Sequence, residues 1–256
     1  RLIVMKPVFP YYCYTRPLPA SITDRLQMTP DNLKTDFDEI FKGVIVPFFK
    51  DLGFKRKTQH FARQINDITQ CFNVQKSQWN SYHDSLSFTF NIGFYNETIR
   101  TLSWGQEIPT KFPKTTDCFI QDRLGTYSHK RDQWYELSKR VDRNKVAEQV
   151  KNDLDKYLKP LFDEYQSLDD LKKFSEKNTG YLLSPYGQIV FLMLTGQIEK
   201  GKQFIKEQYK ISLTPQTITD TINFPDGTKK ENTRTYINQH YIDSIERLAK
   251  HYDIEL

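Results

Sequence analysis

Between His60 and Ile92 the apolar residues fall on alternate positions in three successive runs, and no other feature of the chain narrows its fold as far. Phe61, Arg63 and Ile65 precede an Asn66-Asp67 turn. Ile68, Gln70, Phe72 and Val74 follow it, and Leu86, Phe88, Phe90 and Ile92 follow the polar stretch from Gln78 to Asp84. A side-chain period of two belongs to a half-buried strand, and polar turns between such runs make a three-strand antiparallel meander. One face of that sheet must be packed by helices. The other carries Ser87, Thr89, Asn91 and Gly93, with Asn73 or Gln75 on a neighbouring strand, and reads as a polar strip. A fourth strand is expected around Thr116 to Asp122.

Helices flank the meander. Thr29-Pro30 places a cap before a proline in its favoured first position. Leu33, Phe37, Ile40, Phe41, Val44, Phe48 and Leu52 then recur at three- and four-residue intervals, so an amphipathic helix is expected, kinked or split at Pro47 and closed by Gly53-Phe54. Past Gly125 the chain turns helical. Val146, Val150, Leu154, Tyr157 and Leu161 mark a second apolar face, and Ser167-Leu168-Asp169-Asp170 a capping box. A helix restarts at Ser184-Pro185 and breaks near Gly196, and another runs from Glu199 to Tyr209. Thr221 to Thr228, with Pro225-Asp226-Gly227 at the turn, reads as a short hairpin or an ordered loop, and a last helix carries Tyr241, Ile245, Leu248 and Tyr252.

The expected class is α+β: an antiparallel sheet of three to five strands packed by an N-terminal helix and following helices, with a C-terminal helical extension. Residues 1–28 form an extended arm broken by Pro7, Pro10, Pro17 and Pro19, residues 29–180 the main domain, and residues 181–256 the extension. The arm's Phe9, Tyr11, Tyr12 and Tyr14 suit it to dock on the main body or on a second copy in a homo-oligomer; Met28 is a natural alternative beginning.

Charge says little about a partner. The 37 basic and 32 acidic residues leave +5, and they are intermixed. The two short basic patches, Lys55-Arg56-Lys57 and His129 to Arg131, read as solvated turns beside helix ends, which argues against a nucleic-acid partner. Three separated cysteines, Cys13, Cys71 and Cys118, do not form a secreted disulfide framework, so a reducing, cytoplasmic setting is expected. The most apolar run, Ile189 to Leu194, is too short to cross a membrane.

Three blocks carry a resemblance. FDEIFKGVIVPFFKDLGFKRKTQHFAR from Phe37, CFNVQKSQWNSYHDSLSFTFNIGFY from Cys71 and DRLGTYSHKRDQWYEL from Asp122 resemble, in order and spacing, the successive blocks of the DUF4304 family of uncharacterised bacterial domains, over about residues 30 to 165. The resemblance implies the α+β fold and no activity, substrate or cofactor. Some members lie near toxin-immunity genes, which implies a protein partner.

The polar positions within those blocks, Arg63, Gln75, Lys76, Asn91, Arg123 and Trp134, are the ligand or partner-binding candidates. Gln75 and Asn91 each donate and accept, as a bound peptide segment requires; Arg123 suits a carboxylate or phosphate; Trp134 suits a helix anchor on the sheet better than a binding role. No catalytic residue, metal ligand set or phosphate loop stands out, no cofactor is expected, and Cys71 in its strand reads as a core thiol. The leading expectation is a non-catalytic protein-binding or immunity-like protein. An enzyme acting in a cleft beside the sheet is the alternative, and a nucleic-acid-binding module, which needs Lys55, Arg56, Lys57, Lys76, Arg123 and Lys130 on one face, is the third.

Overall fold

A computed structural model describes residues 32–81, 83–105, 110–177, 184–224 and 227–256. The aromatic arm, the Thr29-Pro30 cap and any contact of the arm with a second copy lie outside them. The chain opens with α1 (Asn32–Ile40) and α2 (Val46–Asp51), joined by a π-turn at Phe41–Ile45. Pro47 stands at the start of α2. In a regular helix its ring would meet the carbonyl four residues back, and the wide turn supplies the room. The apolar ladder here is Leu33, Phe37, Phe41, Ile45 and Phe49, every fourth residue, all buried. On an α-helix four residues overshoot one turn by roughly 40°, so a strict ladder of fours drifts off its face. The π-turn takes up that drift.

The same device recurs after the sheet. α5 (Arg143–Asp153) runs through a π-turn at Leu154–Leu158 into α6 (Lys159–Glu164), with Pro160 at its start. Val146, Val150, Leu154, Leu158 and Phe162 are buried at four-residue steps. Tyr157, expected on that face, is only half-buried, because the π-turn gives its place to Leu158.

Between the two helical runs lies a six-stranded antiparallel sheet. β1 (Lys55–Lys57), β2 (His60–Ile65), β3 (Ile68–Lys76) and β4 (Ser85–Tyr95) follow one another in space as in sequence. α3 (Glu97–Trp104), capped by Asn96, leaves the sheet, and a 3₁₀ turn at Thr115–Asp117 returns to it. β5 (Ile120–Arg123) pairs with Asn91–Phe94 of β4, and β6 (Tyr135–Ser138) pairs with Ser85–Phe88. β5 and β6 thus form one edge line, interrupted by α4 (Leu124–His129). The fourth strand is therefore shorter and later than expected, since Thr116 and Asp117 belong to the turn. Lys55-Arg56-Lys57 is an edge strand rather than a turn; its charged side chains suit an edge that must not recruit another chain. His129 closes α4, and Lys130 caps it in the left-handed conformation.

Phe61, Phe72, Phe88, Phe90 and Phe94 of the sheet pack against Phe37, Phe49 and Phe162 of the helices, with Phe49 stacked 4.4 Å from Phe61. α7 (Leu168–Lys177) adds Leu171 and Phe174. α8 (Pro185–Leu194) and α9 (Ile198–Ser212), the two expected helices, pack as a hairpin about Gly196, and α10 (Gln239–His251) packs on α9 and α3. The short hairpin expected at Thr221 to Thr228 is longer: β7 (Gln216–Asn223) and β8 (Lys229–Tyr236) pair along their whole length, and every described residue but the half-buried Ile218 is exposed.

Candidate functional site

Strand register assembles the site. Lys57, His60, Asn73, Asn91 and Arg123 are successive cross-strand partners across β1 to β5, so their side chains stand in one row on the face turned away from α1 and α2. A cation stands at each end and amides in the middle. Gln75 lies two residues along β3 from Asn73, on the same face. Asn91 Nδ2 donates to Asn73 Oδ1 at 3.1 Å and to Gln75 Oε1 at 2.9 Å, while Asn73 Nδ2 faces His60 Nδ1 at 3.3 Å. Both donors of Asn91 are thereby used. Its Oδ1 and the Gln75 Nε2 make no hydrogen bond among the described residues, and face outward as one acceptor and one donor.

Burial and the nearby Lys114 ammonium hold His60 below its usual value of 6.5, against the pull of Asp117. A neutral imidazole is thus favoured beside Asn73, able to accept where Asn73 donates.

The far end of the row is built by the interrupted edge. Arg123 ends β5 and Trp134 precedes β6, so the α4 excursion leaves and rejoins the sheet between them. The Arg123 guanidinium pairs with Asp132 and lies 5.0 Å from the centre of the Trp134 ring, whose Nε1 donates to the same carboxylate at 3.0 Å. Trp134 is therefore part of a cation-carboxylate-indole corner on the open face rather than the helix anchor its size suggested. Gly125 permits the return: a Cβ there would stand 2.6 Å from the Gln133 Cβ and 2.7 Å from its amide nitrogen. Thr89, also on this face, is covered by the returning strand and donates to the Gln133 carbonyl at 2.7 Å.

Arg63 and Lys76 face the other way. Arg63 donates to the buried Gln70 Oε1 through Nε at 3.0 Å and Nη2 at 2.7 Å, and to the Leu52 carbonyl at 2.8 Å. Gln70 Nε2 then donates to the carbonyls of Phe162 and Tyr165, at 2.6 and 2.9 Å, which ties the sheet to the end of α6. Lys76 Nζ lies 4.1 Å from the centre of the Phe37 ring, and burial lowers its pKa. Of the six sequence candidates, then, Gln75, Asn91, Arg123 and Trp134 share the open face and Arg63 and Lys76 serve the helix-packed one. Asn73, expected on the polar strip, is confirmed there by register, and His60 and Asp132 join the site unannounced. The alternation through Val74 placed Asn73 on this face; nothing in the sequence tied Asp132 to Arg123.

At its other end the same face is roofed. Cys71, Ala62, Tyr95 and Cys118 pack together there with Phe112. Cys118 lies over Gly93, where a Cβ would come within 2.7 Å of its sulfur, and burial, then the adjoining Cys71 thiol, raise its pKa. Both thiols are free. Cys71 is buried, as a core thiol should be.

Residues 45–164 match DUF4304, a domain of unknown function. Every residue of the polar row and of the Arg123 corner lies inside the DUF4304 match. So does the whole sheet, while α7 to α10 and the β7–β8 hairpin follow it. No curated protein and no solved structure matches the chain. Among the described residues no helix is long and apolar enough to cross a membrane, and no three His, Cys, Asp or Glu side chains gather as a metal site.

Proposed function

We propose that this chain is a non-catalytic protein-binding domain, of the kind that neutralises a partner as an immunity protein does, and that it receives an extended partner segment on the open face of the sheet. The observation that carries this reading is the outward pair made by Gln75 Nε2 and Asn91 Oδ1. One donor and one acceptor side by side match the carbonyl and amide of a passing main chain, and the Asn73 bond to Asn91 fixes the orientation of the pair before binding. The Arg123, Asp132 and Trp134 corner offers an aromatic surface and charge beside it.

The basic residues favour a protein over a nucleic acid. Lys55, Lys57 and Arg123 belong to the open face by register, whereas Arg56 and Lys76 lie over the rings of Phe41 and Phe37 on the opposite one. The unbridged neighbours Cys71 and Cys118 fit a reducing, cytoplasmic setting.

The test compares three baits in native lysate: wild type, Gln75→Ala/Asn91→Ala, and Lys229→Ala on the exposed β8. Two neutral hydrogen bonds at ~0.5–1.5 kcal/mol each predict a loss of affinity of at least fivefold. A protein held by wild type and Lys229→Ala, and bound at least that much more weakly by the folded double variant when purified, supports the proposal. Equal retention by all three folded baits, or none by any, refutes it.

A further inference from the structure

Beyond the polar row, at the roofed end of the sheet, α3, the 3₁₀ turn before β5, α8 and α10 enclose a cavity of about 580 Å³. That volume falls within the ~300–1,000 Å³ of ordinary small-molecule sites. Its inner wall is apolar, with Ile99 and Phe119 from the DUF4304 segment facing Gly187 of α8. Trp104 stands at the rim with 62% of its surface exposed, and the Arg100 guanidinium lies 5.0 Å from its ring centre.

Among the described residues, two polar groups inside this apolar wall lack partners. Ser103 is 9% exposed and its Oγ makes no hydrogen bond to them; Arg100 has two nitrogens on Asp117, at 3.2 Å to the carboxylate and 3.3 Å to the carbonyl, while its buried Nε makes none to them. Residues three apart on a helix share a face, so the two groups sit side by side on α3. A Cβ on Gly187 would stand 3.8 Å from the Ser103 Oγ, which places that hydroxyl against the cavity wall across from α8. Burying an unpartnered polar group costs ~1–3 kcal/mol, and two such groups lining one cavity set the chemistry of what would satisfy both. The Arg100 Nε–H can only donate, and the Ser103 hydroxyl can donate to the same atom. Asp117 already balances the charge on Arg100, so a neutral acceptor suffices. The walls and the Trp104 rim select a flat, apolar body.

We infer that this cavity binds a small aromatic molecule carrying a carbonyl group, the oxygen received by Arg100 Nε and Ser103 Oγ and the ring lying between the Ile99, Phe119 and Gly187 wall and Trp104. The site is separate from the polar row of the sheet and joins the DUF4304 segment to α8 and α10, which lie beyond the family match.

The test is amide NMR of the full chain titrated with coumarin, an aromatic carbonyl, and with naphthalene, which has the ring area without the oxygen. Coumarin should give saturable shifts concentrated in Glu97–Trp104 and Pro185–Gln188, and naphthalene should bind at least about tenfold more weakly, the equivalent of ~1.4 kcal/mol. Ser103→Ala should weaken coumarin at least about fivefold and bring the two probes closer together. The exposed-rim variant Trp104→Ala should weaken both probes, while Asn91→Ala on the sheet should change neither. Absence of saturable coumarin shifts at millimolar concentration, shifts centred elsewhere, or equal binding by wild type and a folded Ser103→Ala would overturn the inference.

Discussion

Replacing Gln70 by leucine tests the internal tie between the sheet and α6. The amide is buried and all of its capacity is used: Oε1 accepts twice from Arg63, and Nε2 donates to the Phe162 and Tyr165 carbonyls. Leucine keeps the volume and removes all four bonds. The Arg63 guanidinium retains the Leu52 carbonyl and the Phe54 ring 4.8 Å away but loses its paired acceptor, a loss of ~1.5–3 kcal/mol for bonds to a charged group. The two carbonyls lose their donor at ~1 kcal/mol each, and the added apolar surface returns ~1 kcal/mol. The net expectation is a destabilisation of about 3 kcal/mol, a large share of the ~5–15 kcal/mol typical of a domain. In a chain of this size that corresponds to a fall of roughly 6–12 °C in melting temperature. Urea unfolding followed by circular dichroism reads the difference directly. Arg63→Met should cost less than Gln70→Leu, and the double variant less than the sum of the two by about 1 kcal/mol or more, because neither partner is then left stranded. A Gln70→Leu loss below ~1 kcal/mol, or strict additivity, would refute the tie.

Three further outcomes follow from the geometry. Gly93→Ala forces a Cβ to 2.7 Å from Cys118 Sγ and 3.0 Å from the Ile120 carbonyl, and should lower stability by ~1–3 kcal/mol in a thermal melt; no loss would mean that the roof over the sheet is loosely held. His60 should titrate below 6.5 by NMR. Since the unfolded chain then binds the proton more readily, the contribution of His60 is fully present above pH 6.5 and is lost as pH falls from there through its folded pKa, so His60→Gln should show a smaller acid-side loss in urea midpoint than wild type; an equal loss would contradict the shift. Replacing residues 216–236 with a two-residue glycine linker joins positions flanking the paired ends Gln216 and Tyr236 and should shift the melting temperature by no more than a few degrees, because the hairpin buries almost nothing; a collapse of the fold would show that it supports the body.

Much of the architecture was written in periodicity. The alternation from Phe61 to Ile92 gave the three central strands and even their faces, and it already set Arg63 and Gln70 in phase with Phe61 and Phe72, pointing at the helices. Asn91 was legible on the other face for the same reason. β1 was not, because Lys55, Arg56 and Lys57 have no apolar alternation to read, and an edge strand needs none. The Arg123 corner was half legible. Each residue stood out, but their proximity depends on β5 and β6 lying end to end along β4, and four-residue strands leave too short a pattern to announce such a pairing. The cavity between α3 and α8 was invisible, since it joins residues more than eighty positions apart whose types are unremarkable one by one.

The two π-turns carry a consequence for how this sequence can change. Each pairs one surplus residue with a proline six places after the turn begins, and each defect conceals the other. Deleting one residue from Phe41–Ile45 alone would drive Pro47 against a carbonyl; replacing Pro47 alone would leave a helix with one residue too many. Made together, the two changes give an ordinary helix whose ladder has one step of three and stays near its face, so each change is tolerated only with the other. Insertions and deletions inside these helices are therefore constrained as sharply as substitutions in the sheet, and an alignment of related chains should show gaps falling in loops and sparing both proline-marked turns.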